Sequence, residues 1–466
     1  TITSHMGAAH ATLRQADGSG VNLVCAHPDA VISGLTLRDG NSIDSGGAYM
    51  IAGHIHHCIF RNNDGIKGGG ALLTGNARMS DCLFFDNSDA TYGSAFELQD
   101  NAVADRCVCC SNTGYIGTVY LRRGGTLRNS LIYHNNLNTA GGIYMLGGGT
   151  VENVTVYGNT ASSLIGGIVA EGNSIVRNAV VYGNDAPGDN NHLIQGSNCV
   201  VEYTCTTPLV EGPGNTDADP QLLRPGAGIF MFSTNSPCYN AGTNLSWMSS
   251  ATDLDGRPRV NGGRVDIGAY EYYRQPILWL PSHHMAFPAT FVDTTSTLAC
   301  ALHNLGDSEM TTTVSAAAAP FSCNVSTAIV AATSSRTIPL TFSPRDVGSY
   351  TQDIYVAGGG SAAIRITGDA TSWLAVNGTL DFGDVPLDSV SARMIRLEND
   401  GPTTLTGTVV HIAPPFGVSN GIPYSIESEG RTYVTFTFAP PGEGEYSCLI
   451  ECTGGGGADV LLRGTG

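Results

Sequence analysis

Through the first half of the chain, apolar and polar residues alternate in short runs, and the runs repeat. From Gly46 to Asn184 the sequence stacks in six lines. They are GGAYMIAGHIHHCIFRNN, GGALLTGNARMSDCLFFDN, GSAFELQDNAVADRCVCCSN, GTVYLRRGGTLRNSLIYHN, GGIYMLGGGTVENVTVYGN and GGIVAEGNSIVRNAVVYGN. Each line ends on an asparagine: Asn63, Asn87, Asn112, Asn135, Asn159 and Asn184, spaced 24, 25, 23, 24 and 25 apart. A fixed period in this range marks a repeat architecture. Within a line the alternation is that of strands, with no helical rhythm. Gly-Gly, Gly-Asn and Asn-Asn pairs supply the turns. Such lines predict two or three short strands per coil of a parallel β-helix, with coils one strand spacing apart, ~4.8 Å.

Stacking the lines turns positions into columns. Six residues before each terminal asparagine stands a corner: His57, Asp81, Arg106, Asn129, Asn153, Asn178. The next column is Cys58, Cys82, Cys107, Ser130, Val154, Ala179, and two further on lies Phe60, Phe84, Cys109, Ile132, Val156, Val181. Side chains two apart share a strand face, so both columns are expected to face the core. The terminal asparagines are expected to form a structural ladder. Asn tolerates a left-handed corner, and its amide can bond to the coil above.

The stack resembles the right-handed parallel β-helix repeats of pectate-lyase-like secreted proteins over roughly residues 1–210. That fold carries lyases, hydrolases, adhesins and inert scaffolds alike, so the resemblance implies architecture and leaves the chemistry open. Val31 to Asn41 matches the repeat core, with Leu35 and Leu37 inward. The chain opens on TITSHMGAAHATL, which reads as strand, without an initiator Met or a signal peptide. The expectation is a processed or truncated product whose first coil is an uncovered sheet edge.

After Asn184 the register loosens, and NHLIQGSNCVVEYTCTTPL is expected to make a last irregular coil. SPCYNAGTN and DLDGRPRVNGGRVDIGAYEY, Asp253 to Tyr272, follow a loop. This pair resembles the closing segment of bacterial secreted β-helix proteins of the choice-of-anchor Q type, which implies that it covers the C-terminal end of the helix. Beyond a short linker the period lengthens. Phe287 matches Phe382, Asn304-Leu305-Gly306 matches Asn399-Asp400-Gly401, and Gly368 matches Gly464. Two tandem modules with short alternating strands follow, as in immunoglobulin-like sandwiches. LDFGDVPLDS, NDG, FAP and the terminal GTG resemble ASH-type (abnormal-spindle and hydin class) Ig-like domains. The expected domains are 1–273, 277–369 and 372–466, all-β throughout.

Composition narrows the functional classes. A net charge of −18 disfavours nucleic acid and anionic membranes, and suits solubility outside cells and Ca²⁺ binding. No apolar run reaches the ~18–20 residues of a membrane span. The 13 cysteines show no disulfide framework and no metal spacing. Cys58, Cys82, Cys107 and Cys109 are expected to be buried thiols. Cys199 with Cys205, and Cys300 with Cys323, are near enough in sequence to bridge.

Candidate chemistry lies on outward columns. One reads Ser33, His56, Ser80, Asp105, Arg128, Glu152, Arg177. Asp105, Arg128 and Glu152 are the candidate catalytic residues of a sugar-cleaving constellation. The same residues also read as a cross-strand ion-pair ladder, whose mutual neutralisation suits proton transfer poorly. His54 and His56 share a face and are candidate metal ligands, although Arg78 and Ser80, their neighbours by register, make poor third ligands. Asp253 and Asp255 are candidate Ca²⁺ ligands; with Asp266 they also read as partners of Arg257, Arg259 and local backbone in a tight loop. No other cofactor is indicated.

Two further outward columns are apolar: Ile59, Leu83, Val108, Leu131 and Val180, and beside them Phe85, Cys110, Tyr133, Tyr157 and Tyr182. Such a stripe needs a cover. The segment after Asn184, an Ig-like module, a protein partner or a sugar chain would each serve. The functional expectation is a non-catalytic secreted or cell-surface structural protein of a bacterium, a subunit of an extracellular filament, sheath or adhesin that self-associates or binds other surface proteins. The alternatives are a polysaccharide lyase or glycoside hydrolase, and a non-catalytic glycan-binding protein.

Overall fold

Four parallel ladders of short strands wind through residues 2–206 in the computed structural model, which describes residues 2–4, 7–15, 19–89, 91–188 and 190–466. His5 and Met6, inside the opening run read as strand, lie outside the described residues; Ile2–Thr3 and Thr12–Leu13 on either side are strands. Each coil contributes to the ladders in turn. Arg78–Ser80 belongs to the first sheet, Leu83–Phe85 to the second, Ser88–Asp89 to the third and Gly93–Gln99 to the fourth. The sheets hold nine, nine, six and eight strands. All-β architecture is general: among the described residues the helices are two short 3-10 turns, Pro225–Ala227 and Ser246–Ser250. No helix of the described residues is long and apolar enough to cross a membrane.

The chain turns between the first and second sheets at a left-handed residue in every coil. His57, Asp81, Arg106, Asn129, Asn153 and Asn178 have φ between 47° and 54°. The second corner holds a surprise. The left-handed residues there are Asn62, Asp86, Ser111, His134, Gly158 and Gly183, each one before a ladder asparagine. The ladder asparagines keep ordinary backbone and turn their amides inward. That inward turn lets one amide span coils, as described below.

The solenoid core is continuous from Cys25 to Val201. Its two expected inward columns are buried, and Phe60 stacks on Phe84 at 4.4 Å. The last coil is more regular than its sequence implies. His192–Gln195, Val200–Glu202 and Cys205–Thr206 extend the fourth, first and second sheets in register. Beyond it, Thr216 pairs with Cys205 and Val210 packs against the end of the core, so the loop after the last strand covers this end.

Residues Arg274–Gly466 form a second compact unit of mainly antiparallel sheets, in which His284–Ala286, Thr290–Phe291 and Thr379–Asp384 pair in parallel. Its two modules repeat the same buried device. Asn304 Oδ1 accepts the Gly306 N–H at 3.0 Å and its amide donates to Ser308 O at 2.7 Å. Asn399 does the same with Gly401 at 2.9 Å and Thr403 at 2.7 Å. Gly368 and Gly464 each face a phenylalanine ring, Phe342 and Phe438, where a Cβ would sit 2.8 and 2.7 Å from the ring. Trp373, buried where the second module begins, lies along Phe291 of the first, ring centroids 6.5 Å apart. The cores of the two modules are thereby continuous.

Candidate functional site

The ladder asparagines bond end to end. The amide of Asn63 donates to Asn87 Oδ1 at 3.0 Å, Asn87 to Asn112 at 3.0 Å, and Asn112 to Asn135 at 2.9 Å. Asn135 donates to Asn159 at 2.8 Å, and Asn159 to Asn184 at 2.9 Å. Asn22 and Asn191, whose spacing breaks the period, extend the row at its two ends. The second amide hydrogen of each goes to backbone carbonyls, as from Asn112 to Phe84 O at 3.1 Å. From Asn63 to Asn184 the side-chain amides and oxygens bond within the protein, so this stretch of the row holds coils together.

The catalytic candidates occupy one column but not one constellation. Asp105 pairs with Arg106 Nη1 at 2.7 Å and accepts from the Asn129 amide at 2.7 Å. Arg106 also grips Asp81 through two bonds of 2.7 and 2.9 Å. Arg128 turns the other way, to Glu152 at 3.0 Å, beneath the Trp247 ring at 4.4 Å. Arg177 bonds to Glu202, one coil beyond, at 2.5 Å. Arg106, at the left-handed corner, thus holds Asp105 together with Asp81. Asp105 and Glu152 therefore face different partners.

The histidines are likewise engaged. His54 Nε2 lies 3.0 Å from Ser80 Oγ, and His56 Nδ1 lies 2.7 Å from His57 Nδ1. Burial lowers the pKa of both His54 and His56, with positive neighbours adding to it. Among the described residues no three His, Cys, Asp or Glu side chains converge as metal ligands.

Asp253 is fully buried. It accepts the N–H groups of Asp255, Arg257 and Glu271 at 3.0, 2.8 and 2.9 Å. Asp266 accepts from Asn240 and Tyr272 at 2.5 Å each. Arg259, wholly inside, lies 3.2 Å from Glu271 and donates to Ala269 O and Gly268 O at 2.9 and 2.5 Å. Burial pushes the Glu271 carboxyl up, and the neighbouring Arg259 pulls it back. Asp255 pairs with Arg257 at 3.6 Å. The oxygens of Asp253 that would coordinate Ca²⁺ already hold backbone N–H groups.

This closing segment lies along the outside of the second sheet, whereas the resemblance places it over the helix end. The apolar column dictates the position. Phe232, Cys238 and Ile267 pack on Val180 and Cys205, and Phe230 meets Tyr133 and Tyr157 at 4.9 and 5.8 Å. Leu131 is buried and Tyr182 packs against the same cluster. Polar contacts pin the segment down: Ala269 N–H to Thr155 Oγ1 at 3.0 Å, and Thr243 N–H to Asn178 Oδ1 at 2.7 Å. Of the expected interface residues, Leu131, Tyr133, Tyr157 and Tyr182 are thus occupied by the chain itself. Ile59, Leu83, Phe85 and Val108, in the earlier coils, stay half-buried.

A different face stands out. The outward column of the fourth sheet reads Tyr49, Leu72, Glu97, Tyr120, Tyr144, Val169. Tyr92, from the preceding loop, stacks on Tyr120 at 5.1 Å, and Tyr144 donates to Glu171 at 2.6 Å. Glu97 is fully buried; Gln99 donates to its Oε1 at 2.6 Å, while Oε2 has no hydrogen-bond partner among the described residues. Burial pushes its carboxyl up to about 7, against the pull of Gln99, Arg122 and Lys67. Asp89, in the third sheet, is also pushed up to about 7 by burial. Around this column lie Val24, Ile51 and Leu146 on the sheet, and Ile43, Ile66, Tyr115 and Leu164 on the loops before it. All seven are between 36% and 72% exposed. Within the column Leu72, Glu97, Tyr120 and Val169 are themselves buried, so the exposed apolar side chains lie around its margins.

Comparison with known proteins touches mainly the sandwiches. Residues 276–369 match the family model described as the HYDIN/CFA65/VesB-like Ig-like domain. No curated protein matches the chain. Among solved structures, a Porphyromonas gingivalis W83 protein of unknown function is 13% identical, covering 40% of this chain and 99% of its own, at a TM-score of 0.19. The ASH/PapD-like domain 7 of human CEP192 is 16% identical, covering 24% of this chain and 98% of its own, at 0.20. The Pseudomonas aeruginosa CupB2 chaperone is 9% identical, covering 39% and 98%, at 0.17. At these scores the solved structures carry no argument about what this chain does.

Proposed function

We propose that this chain is a non-catalytic structural or adhesion-type protein, placed on the outside of a bacterial cell, that joins an assembly through the fourth-sheet face of its solenoid. The observation that carries this reading is the concentration of exposed apolar side chains on that one face, from Val24 to Leu164. The ion pairs that hold Asp105 on Arg106, and Arg128 on Glu152, support a structural role for the first-sheet column. A stiff solenoid stapled by a buried asparagine row, followed by two packed sandwiches, suits a part that carries load or spaces a binding face from its anchor. Electron microscopy of the purified chain at several concentrations tests it. Regular fibres or arrays that grow with concentration support it; isolated particles at every concentration contradict it.

A second reading is non-catalytic glycan binding on the same face. The tyrosines of successive coils, next to Glu97 and Glu171, favour it, since ring edges, hydroxyls and carboxylates together suit sugar hydroxyls. Retention on an immobilised polysaccharide without product release would support it. Release of cleaved sugar that Asp105→Ala and Glu152→Ala abolish would return the enzyme reading.

A further inference from the structure

Two cysteines meet where the closing segment joins the solenoid. Cys205 continues the outward column of the second sheet after Val180. Cys238 belongs to the closing segment, its N–H donating to Ser236 Oγ at 3.1 Å. Both are fully buried, in one small cluster with Val180, Phe232 and Ile267. The Cys205 thiol donates to Ala218 O at 3.2 Å, with Cys238 beside it in the cluster. Among the described residues, no other pair of cysteines joins the closing segment to the solenoid. Cys199, the partner that sequence spacing offers Cys205, faces the carbonyls of Ala170, Gly172 and Gln195. Cys58 and Cys82 also neighbour each other, but at the corners of successive coils of the core, and with Cys107 each donates to the carbonyl two residues back. Cys323 turns to Val325 O at 3.5 Å.

We infer that Cys205 and Cys238 form an oxidisable pair whose disulfide fastens the closing segment to the last coil. The oxidant is a disulfide of small-molecule or protein origin. One cysteine thiolate attacks a sulfur of that disulfide and releases the first reduced thiol. The second cysteine then attacks the mixed disulfide and releases the other. The protein loses two electrons and two protons, and the oxidant gains both. The cross-link ties together residues far apart in sequence, which restricts the unfolded chain. Hydrogen bonding to Cys205, together with burial, holds the Cys238 thiol well above its usual pKa, so exchange belongs to folding rather than to the docked state. The pairing is a property of the fold and stands apart from the cellular placement proposed above.

The test is oxidative refolding of the full chain with a mixture of reduced and oxidised glutathione. The product is denatured, its thiols are alkylated without reduction, and they are counted by mass. The inference expects 11 alkylated thiols from the 13 cysteines, less the pair, and a cross-linked peptide joining Cys205 to Cys238. It also expects a melting temperature several degrees above that of the reduced chain, a rise that Cys238→Ala lacks. Thirteen alkylated thiols would overturn it. So would a bridge at Cys58–Cys82, Cys199–Cys205 or Cys300–Cys323 with Cys205 and Cys238 left reduced.

Discussion

The solenoid has one side that is closed and one that is open, although both are built from the same repeat. On the first and second sheets, outward charges pair along the axis, and from Leu131 onward the outward apolar column is covered by residues 222–273 of the same chain. On the fourth sheet and its adjoining loops, apolar side chains stay exposed above a buried, incompletely bonded glutamate. The repeat alone does not decide a face's role. What decides it is whether the outward groups have already found partners within the chain.

The largest effect is expected on the closed side. Arg259→Ala leaves Glu271 buried without its cation and the carbonyls of Asp266, Gly268 and Ala269 without their donor, and breaking such a network costs about 4 kcal/mol. Chemical denaturation should read that loss. Dye binding should rise with it, because a loosened segment bares Val180 and Tyr133. A loss below 1 kcal/mol would mean that the apolar contacts alone hold the segment in place.

Asn112→Ala should come next. It removes the amide that bonds Asn135, Phe84 and Cys110 and leaves buried groups without partners, at about 3 kcal/mol. Asn136→Ala, on an exposed neighbour, is the control and should change little.

The open side should show itself through pH. Glu97 holds its proton more tightly in the folded chain than in the unfolded one, up to about 7 against 4.5. Its contribution to stability is full below the unfolded value and is lost as pH rises through about 7. Asp89 acts in the same direction. The solenoid should therefore be more stable at pH 5 than at pH 8, with Glu97 contributing about 2 kcal/mol of the difference. Thermal melts of Glu97→Gln should show a flatter pH profile. An unchanged slope would remove Glu97 as the source.

The smallest effect belongs to the ion pairs of the first sheet. Arg106 and its partners are partly exposed, so Arg106→Ala should cost about 1 kcal/mol or less. A much larger loss would make this column a stabilising network on a par with the asparagine row.

These faces differ in how far they could be read from sequence. The asparagine row and both inward columns were legible because they recur at one spacing, and a repeat averages out local exceptions. The paired sandwiches were legible through Asn304 and Asn399, whose buried amides need the same glycine two residues on. The fourth-sheet face was hidden by one residue of register. Lining GSAFELQ up on its glycine with GGALL sets Phe96 one place late, opposite Leu72. The structure pairs Leu72 with Glu97, and the Gly93–Gln99 strand itself absorbs the extra residue as an irregularity between Gly93 and Phe96. Counting back from Asn112 would have placed Glu97 correctly among the tyrosines. The position of the closing segment was hidden for another reason. Its contacts, such as Ala269 to Thr155 and Phe230 to Tyr133, join residues far apart in sequence, and no local pattern encodes them.

The central claim is that the open face mediates association and the closed face does not. Sedimentation velocity across a concentration series addresses it with three proteins: the wild type, an Ile66→Asp/Tyr115→Asp variant of the open face, and a His56→Asp/Arg78→Asp variant of the closed face. Wild type and the closed-face variant should shift to larger species together as concentration rises, while the open-face variant stays at the size of one chain. A wild type that remains a single chain throughout, or an open-face variant that associates as well as the wild type, would contradict the account.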